Sequence, residues 1–421
     1  MNVLVIGAGG REHTLCWKLK QSPLCGSLFA APGNAGTASC ATNLPIEVNN
    51  FEGIKNAVIE NHIQLVVVGP EEPLVNGIHD FFLKDSQLAS VGVIGPEKAA
   101  ATLEGSKAFA KEFMMRHHIP TAAYAEFTSS NIAEGERYLE ESNPPFVLKA
   151  DGLAAGKGVL IIEDLEEAKK ELRSMLLDQK FGQASNKVVV EEFLSGIELS
   201  CFVLTDGKSY LTLPMAKDYK RIGEGDKGLN TGGMGAVSPV PFVTKAFKEK
   251  IEKEIVKPTI EGLKKDGIPY KGFVFIGLIK VGEDAKVIEY NVRLGDPETE
   301  VVIPRLKTDL MSLFLAVNEG RLGEVELEVE EQSAATVMAV SGGYPESYEK
   351  GKPISGLNEV EMVFQAGTRR DGDKVLTNGG RVLAATSFGA NFKQAVEKSY
   401  KTLEKISYEG IYYRKDIGFD L

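Results

Sequence analysis

The chain has 421 residues, of which 43% are hydrophobic and 25% are charged, and its formal net charge is −11. This length predicts several globular domains of roughly 100–200 residues each. The acidic balance argues against a broad nucleic-acid-binding surface, which would be basic, and no apolar run is long enough to predict a membrane span. Four cysteines without metal-binding spacing, and an amino terminus unlike a signal peptide, predict a reducing, cytoplasmic setting.

The first element is a buried parallel strand over residues 2–6, followed by the turn Gly7-Ala8-Gly9-Gly10-Arg11-Glu12-His13 and a helix. Glycines let the backbone approach an anion, and the free amides at the helix start point toward it. A dinucleotide fingerprint would need a third glycine where Glu12 stands, and an acidic residue after the strand at 28–31. The turn is therefore a candidate phosphate cradle, and nicotinamide binding is not predicted.

Two further strands are predicted at residues 65–68 and 91–94, and each ends in Gly-Pro. Ligands of open parallel sheets bind at the carboxyl ends of the strands. Glu71 follows one of these ends and is a candidate for binding ribose hydroxyls. The local sequence is equally compatible with a loop glutamate in water.

Next along the chain, Ser106 is a plausible cap of a helix that runs to residue 117. Lys107 then falls in the first turn, where a lysine opposes the helix macrodipole unless an anion is bound. This position favours a phosphate-binding role over that of a solvated lysine.

A strand over residues 145–149 ends at Lys149, and the glycine-rich loop 150–158 leads into a second strand at 159–162. The spacing differs from that of a Walker loop, and Gly158 stands where a Ser or Thr would be required. Nine residues with three glycines exceed what a hairpin turn needs. We interpret the loop as a flap that closes over a triphosphate; the alternative is an ordinary turn.

A strand over residues 188–194 runs into an extended linker, whose backbone can bind the edge of an adenine. Glu198, at the start of the next strand, can accept ribose hydroxyls. Each of these signals is weak by itself, and their order along the chain is what makes them informative.

The hairpin of residues 273–281 and 286–291 precedes the motif Arg-Leu-Gly-Asp-Pro-Glu at 293–298. Side chains alternate along a strand, so Glu289 and Asn291 share one face. Their oxygens are the ligands that Mg²⁺ takes when it also binds phosphates. The alternative, a half-buried strand with a solvated polar face, is weakened by the charged motif that follows.

Beyond residue 321, the alternation of Val, Leu and Glu over 324–330 predicts a strand with a solvated acidic face. We place a domain boundary here. Short strands are predicted at 335–340, 361–366 and 381–386, and a final helix has Phe392, Val396, Tyr400 and Leu403 on one face.

These blocks, in this order, resemble the ATP-grasp superfamily and, more narrowly, the glycinamide ribonucleotide synthetase family. The resemblance spans nearly the whole chain and is most specific at residues 230–236 and 293–299. It implies an α/β fold with an amino-terminal Rossmann-like open parallel sheet, a central ATP-grasp fold with a mobile lid, and a small carboxyl-terminal α+β domain. The implied boundaries are 1–102, 103–323, with the lid at about 121–190, and 324–421.

The resemblance also implies a reaction. Glycine would be activated by ATP as glycyl phosphate and joined to 5-phosphoribosylamine, which yields glycinamide ribonucleotide, ADP and phosphate in the second step of de novo purine biosynthesis. Mg²⁺ or Mn²⁺ would assist. Nucleic acid and membrane are not among the implied partners, whereas transient contact with neighbouring purine-pathway enzymes is.

Site roles are implied residue by residue. ATP would be bound by Lys107, Lys149, Gly156, Lys157, Glu191, Leu194 and Glu198, with Glu191 and Leu194 facing adenine and Glu198 the ribose. The metal would be bound by Glu289 and Asn291. The ribosylamine and glycine would be bound by Gly9, Gly10, Arg11, Glu71, Asn230, Thr231, Gly232 and Gly233. The catalytic set would be Lys149, Arg293, Asp218 and Asp296.

The chain departs from the family pattern at five positions. The family usually has Gln and His at Lys217 and Tyr219, Tyr at Val237, Phe at Leu294 and Gln at Glu300. Two alternatives stay open. Another ATP-grasp ligase, a carboxylase or a peptide-forming enzyme, would require bicarbonate or a second amino acid, and a non-catalytic nucleotide-binding protein would bind ATP without turnover.

Overall fold

The computed structural model describes residues 1–153 and 158–421. Its amino-terminal part is a five-stranded parallel sheet in the order β3-β2-β1-β4-β5 with helices around it. The central strands are buried along their whole length, as their apolar runs predict for a parallel sheet. The elements are β1 Val3–Gly7, α1 Gly10–Leu19, β2 Leu28–Pro32, β3 Thr42–Asn43, α2 Phe51–Glu60, β4 Leu65–Val68, α3 Glu71–Val75, α4 Ile78–Lys84, β5 Gly92–Ile94 and α5 Lys98–Gly105.

The next part contains a four-stranded antiparallel sheet in the order β6-β9-β7-β8. Two amphipathic helices, α7 and α8, pack on this sheet around a separate apolar cluster that includes Leu139, Leu148 and Leu172. This unit lies within the range in which the lid is expected. The elements are α6 Lys107–Arg116, β6 Tyr124–Phe127, α7 Ile132–Glu141, β7 Phe146–Ala150, β8 Val159–Ile162, α8 Leu165–Leu177 and β9 Val188–Glu191.

The central part is built on a second antiparallel sheet in the order β11-β10-β16-β17. Its β16–β17 hairpin is the one predicted from the sequence, with the turn at Gly282 and Glu283. A short π-helical turn over residues 252–256 joins α9 to α10. The elements are β10 Ile197–Thr205, β11 Tyr210–Thr212, β12 Lys217–Asp218, β13 Arg221–Gly223, β14 Lys227–Asn230, β15 Gly235–Ser238, α9 Lys245–Ile251, α10 Lys257–Lys265, β16 Gly272–Val281 and β17 Asp284–Asn291.

The carboxyl-terminal part contributes the strands β18, β19 and β22 to a five-stranded sheet. The order of this sheet is β12-β15-β18-β22-β19. Two strands from the central part therefore pair into this sheet across the boundary proposed at residue 324, and the division into three domains stays a prediction. The central part ends with α11 Thr299–Val302 and α12 Leu310–Glu319, and the carboxyl-terminal elements are β18 Ser333–Val340, β19 Val363–Gln365, β20 Thr368–Asp371, β21 Lys374–Thr377, β22 Arg381–Gly389 and α13 Phe392–Leu403. Among the described residues, no helix is long and apolar enough to cross a bilayer.

The strand predicted over residues 324–330 is wrong. This segment makes one isolated bridge, between Val329 and Leu306, and otherwise lies along residues 305–308 as an extended connection. The Arg305 guanidinium donates to the carbonyls of Glu330 and Gln332 at 2.9 and 3.1 Å. The sequence alternates because the apolar side chains of this segment cover the core while its glutamates are solvated. Such one-sided burial does not require a partner strand.

Candidate active site

A cavity of about 210 Å³ lies where the parallel sheet, the antiparallel sheet of the lid range and the β16–β17 hairpin meet. Its lining combines cationic, anionic and uncharged polar side chains from separate elements. These are Glu71, Glu104, Lys107, Lys111, Lys149, Glu191, Glu289, Asn291 and Arg293. The structure thus brings together most of the ATP and metal residues predicted from the sequence.

The carboxylate of Glu191 sits between two lysines. Its Oε1 is 2.9 Å from Lys149 Nζ, and its Oε2 is 3.0 Å from Lys111 Nζ. The two strand ends that carry Lys149 and Glu191 belong to the paired strands β7 and β9. The carboxylate therefore contacts both lysines, and the adenine contact expected for Glu191 stays a prediction.

Lys111 was not predicted from the sequence. It lies four residues after Lys107 on α6, so the two side chains share a face of the helix, and this spacing was the available signal. Burial lowers the pKa of Lys111 to about 8, against the attraction of Glu191. Lys111 also donates to Thr121 Oγ1 at 2.8 Å, which fixes the ammonium group deep in the cavity.

Lys107 begins α6, and Ser106 caps this helix as predicted, its hydroxyl accepting the Phe109 N–H at 3.1 Å. Lys107 Nζ donates to the carbonyl of Gly152 at 3.1 Å. Burial lowers the pKa of Lys107, although the charge of Glu289 opposes this. The helix start and the beginning of the flap are thereby joined. Gly156 and Lys157 lie outside the described residues.

Glu289 and Asn291 both line the cavity, as the alternation along β17 predicts. Between them, the Tyr290 side chain points to the other face, where its hydroxyl is 2.7 Å from that of Thr259. The register with β16 shifts between Gly277 and Leu278, which leaves Ile288 unpaired in a bulge next to Glu289. The bulge orients the end of the strand toward the lysines.

This pair of oxygen donors fits a divalent cation that takes its remaining ligands from phosphate groups. The described residues contain no cluster of three or more His, Cys, Asp or Glu side chains that could bind a metal by themselves. A cation at Glu289 and Asn291 would therefore need ligands from a bound nucleotide, as the sequence-based hypothesis supposes.

Arg293 connects the cavity to the amino-terminal sheet. Its guanidinium lies 3.3 Å from Glu71 and 2.9 Å from Glu104, measured from Nε and Nη2 to the carboxylate oxygens. Burial disfavours the charge of Glu71, but Arg293 and Arg11 hold its pKa below the usual value. Glu71 is thus a cavity residue and not a solvated loop glutamate. Glu104, which also accepts the Val292 N–H at 2.7 Å, was missed.

The Gly9–Arg11 turn meets the Arg-Leu-Gly-Asp-Pro-Glu motif. Asp296 Oδ2 accepts the backbone N–H of Arg11 at 3.2 Å, and the Arg11 guanidinium donates to the Leu294 carbonyl at 3.0 Å. Arg381 Nη2 lies 3.0 Å from Asp296 Oδ1. Burial opposes ionisation of Asp296, but the charges of Arg381 and Arg11 keep its pKa below the usual range.

Arg381 also holds the glycine-rich loop at 230–236. Its Nη1 donates to the carbonyls of Gly232 at 2.6 Å and Asp296 at 2.8 Å. Gly233 has φ +117° and packs against Pro297, where a side chain would collide. No local signal identifies Arg381, because its partners are far away in the sequence. Thr231 donates to the Lys220 carbonyl at 2.7 Å, whereas Asn230 is exposed at the end of β14.

Asp218, Glu198 and Lys220 form a neighbouring charged group. Lys220 Nζ is 2.5 Å from Glu198 Oε2 and 4.0 Å from Asp218 Oδ1. Burial raises the pKa of Asp218, with Lys220 opposing, whereas the charge of Lys220 lowers the pKa of Glu198. Within the described residues, neither Glu198 nor the half-buried Leu194 lines the cavity itself.

Two of the departures from the family pattern share one partner. The Tyr219 hydroxyl donates to Asp420 at 2.8 Å, and Lys217 Nζ lies 3.0 Å from the same carboxylate and 4.2 Å from the Tyr219 ring centroid. Both side chains therefore bind the carboxyl-terminal segment. Val237 and Leu294, at two other departures, are buried in apolar clusters.

Comparison with known families gives three matches along the chain. They are the phosphoribosylglycinamide synthetase N domain at residues 1–104, its ATP-grasp (A) domain at 105–299 and its C domain at 334–420. A phosphoribosylamine–glycine ligase of Vibrio vulnificus is 45% identical over 100% of this chain and 98% of its own length. A bifunctional purine biosynthetic protein of Pichia angusta is 47% identical over 99% of this chain, which spans 53% of that protein.

Solved structures agree with these matches. A phosphoribosylamine–glycine ligase of Thermotoga maritima superposes with a TM-score of 0.87 at 36% identity, covering 99% of this chain and 100% of that one. The biotin carboxylase domain of a Hydrogenobacter thermophilus 2-oxoglutarate carboxylase, in complex with MgADP, has a TM-score of 0.72 at 16% identity, covering 98% and 91% of the two chains. The second similarity concerns the fold alone.

Proposed function

Because the chain belongs to the phosphoribosylglycinamide synthetase family, we infer that it ligates glycine to 5-phosphoribosylamine, with conversion of ATP to ADP and phosphate. The observation that carries this inference is the continuity of two sites. Arg293 and Glu71 line the lysine-rich cavity, and the guanidinium groups of Arg293 and Arg11 both donate to the carbonyl of Leu294. A nucleotide and a phosphoribosyl substrate could therefore be bound side by side.

On the nucleotide side, we assign Lys107, Lys111 and Lys149 to the phosphates of ATP. Phosphoryl transfer depends mainly on positioning and charge neutralisation, so a protein nucleophile is not required. Glu191 holds Lys149 and Lys111 at the cavity wall, since each ammonium group is within 3.0 Å of its carboxylate. ATP and a divalent cation are the co-reactants that the ATP-grasp family implies.

Glu289 and Asn291 would hold the cation, which we propose to be Mg²⁺ or Mn²⁺. When bound, it would neutralise charge that develops on the transferred phosphoryl group. The flap at 150–158 would keep water from the reactive acyl phosphate, because such anhydrides hydrolyse readily.

On the acceptor side, the glycine carboxylate would take the γ-phosphoryl group, giving glycyl phosphate and ADP. The amine of phosphoribosylamine would then form the C–N bond as the acyl C–O bond to phosphate breaks, and the amine would lose one proton. Asp218 is suited to receive that proton because burial raises its pKa, whereas Asp296 is held ionised between Arg11 and Arg381. Arg293, Gly9, Gly10 and the loop 230–233 would position the substrates.

We further propose a cytoplasmic location and transient contact with other enzymes of purine biosynthesis. The location is supported by the cysteines, which are all free thiols, as a reducing compartment would require.

The test is phosphate release from ATP with Mg²⁺, glycine and freshly generated phosphoribosylamine, with each component omitted in turn. We expect release only in the complete mixture, accompanied by an equal amount of amide product. Release that is indifferent to phosphoribosylamine would contradict the proposal and direct attention to other amines. Release that requires bicarbonate or a second amino acid would favour another ATP-grasp ligase.

A further inference from the structure

Glu300 is a buried carboxyl group without a donor among the described residues. It has no exposed surface, and neither of its oxygens has a hydrogen-bond partner of the usual donor type. An ionised carboxylate in such a place would be strongly disfavoured unless it were paired. A neutral carboxylic acid would supply an O–H donor and avoid that cost.

The carboxyl of Asp296 is its natural acceptor. The two carboxyl groups are close enough that each shifts the pKa of the other, and among the described residues Asp296 Oδ1 is the only other buried side-chain oxygen without a hydrogen-bond partner. Glu300 lies directly beneath Gly10, where a methyl group would collide with its Oε1, and Asp296 contacts Gly9 in the same way. Both carboxyls therefore face the start of α1.

The charged groups on the elements packed around Glu300 are each bonded to other partners. From β22, Arg381 approaches it, but this guanidinium is bonded to Asp296 and to the carbonyl of Gly232. On α1, Glu12 accepts from Gly9 and Arg11, and His13 accepts from the Gln365 N–H at 2.8 Å. Strands β15 and β18 carry no charged side chain. No cation is therefore free to neutralise an ionised Glu300 among the described residues.

We propose that Glu300 is a positioning residue that works as a neutral acid: it shares its proton with Asp296 and so holds Asp296 against the Arg11 N–H and Arg381. This inference rests on the proposed function, because Asp296 and the Gly9–Arg11 turn are assigned there to the phosphoribosyl substrate. Loss of the proton would put a second negative charge beside Asp296, beneath the glycines that receive an anionic substrate. The acceptor site would then weaken as pH rises.

The test uses glycinamide ribonucleotide, the stable amide product, as the ligand, and calorimetry as the readout. Its phosphate is almost fully ionised above about pH 7, since the second pKa of a phosphate monoester is about 6. For the unmodified protein we expect the Kd to rise between about pH 7 and 9.5, by a factor of up to about ten for each pH unit above the pKa of Glu300.

Two substitutions separate the proton from the shape of the side chain. In Glu300→Gln, the amide N–H still donates to Asp296 but cannot be titrated, so the Kd should stay within about twofold of the unmodified protein at pH 7. Any change of its Kd at higher pH reports the amino group of the ligand, since α-amino groups have pKa values of about 7.7–8.0, and the unmodified protein is compared with this variant at each pH. In Glu300→Met, no donor is left, so the Kd should be raised about tenfold at every pH. Glu331→Gln, at an exposed position, is the matched control and should keep the original pH profile.

The proposal is overturned if product binding by Glu300→Gln weakens at alkaline pH to the same extent as product binding by the unmodified protein. A pH-independent Kd of the unmodified protein also overturns it, and that measurement needs no variant to fold. Failure of all these proteins to bind the product at any pH would instead contradict the proposed function.

Discussion

At the residue scale, the cavity is organised by charged groups that each pair with two groups of the opposite sign. Glu191 contacts Lys111 and Lys149, and Arg293 lies between Glu71 and Glu104. Buried charges are tolerated only when they are paired. The pairs hold the lysines in place before a nucleotide arrives, which is the preorganisation that electrostatic catalysis requires.

Glu289→Ala removes the charged ligand of the proposed cation. We expect ATP binding to stay detectable, because the three lysines remain, while turnover falls by about a thousandfold or more, since the contribution of the cation to the transition state is several kcal/mol. Phosphate release and ATP binding by calorimetry measure the two effects. Glu283→Ala, in the exposed hairpin turn, is the control and should behave normally. Full turnover by Glu289→Ala would refute the cation assignment.

Lys111→Met breaks a buried ion pair and leaves Glu191 with Lys149 alone. We expect a loss of about 3 kcal/mol in the free energy of unfolding, at the lower end of the range for such pairs because the repulsion between Lys111 and Lys149 is also removed. Urea denaturation measures it. The double variant with Glu191→Gln should recover part of the loss.

The control for this stability prediction is Lys245→Ala. Lys245 faces Glu249 on the surface at 3.9 Å, and both side chains are largely exposed. Exposed pairs contribute little, so no measurable change is expected. An equal change in the free energy of unfolding for the two substitutions would show that the burial of Lys111 does not contribute to stability.

At the scale of elements, the carboxyl-terminal segment after Tyr413 binds strand β12, which carries Asp218, and the neighbouring strand β13. Arg414 has no exposed surface, pairs with Asp226 and Asp416, and donates to the Arg221 carbonyl at 3.1 Å. Asp420 binds Lys217 and Tyr219 on either side of Asp218. Lys217 and Tyr219, two of the departures from the family pattern, thus share Asp420 as a partner.

Asp420→Ala should remove the interactions of the carboxyl-terminal segment with Lys217 and Tyr219. We expect the KM for phosphoribosylamine to rise about tenfold, because hydrogen bonds to a charged group contribute about 1.5–3 kcal/mol, while the KM for ATP stays unchanged. Steady-state kinetics with each substrate varied in turn gives the comparison. Asp373→Ala, in the exposed β20–β21 turn, serves as the control. Equal changes in both KM values would indicate a general structural defect and not a loop-positioning role.

At the scale of the whole molecule, the sheet β12-β15-β18-β22-β19 joins the central and carboxyl-terminal parts. Strand β15 pairs with β18 over Gly235–Ser238, directly after the glycine-rich loop. Arg381, at the start of β22, reaches that loop and Asp296. The substrate loop therefore depends on residues more than a hundred positions later in the chain.

This shared sheet predicts cooperative opening. In native-state hydrogen exchange, the amides of Gly235–Ser238 should be protected with the same opening free energy as those of Ser333–Val340, because the strands can separate only together. Amides of Phe146–Ala150 belong to another sheet with its own core and should open independently of these. A clear difference between the first two groups would contradict the cooperativity.

Comparison of the sequence with the structure shows which predictions local patterns can support. The strands at 65–68 and 159–162, the Ser106 cap and the facing of Glu289 and Asn291 were all predicted, because alternation, capping and glycine placement act over a few residues. The strand at 324–330 was not formed, since an alternating pattern records burial of one side and does not supply a partner strand.

The sequence by itself determined the kind of chemistry, because its motifs contain the lysines that we assign to phosphate and the two oxygen ligands that we assign to the cation, in the order of the family. Only the tertiary structure decided the contacts that make a site of them. Asp296 meets Arg11 across 285 positions of sequence, and Glu104 meets Val292 across 188. Lys111 with Glu191, Arg381 with Asp296 and the unpartnered Glu300 likewise depend on how separate elements pack. Such contacts follow from three-dimensional packing and leave no periodic signal along the chain.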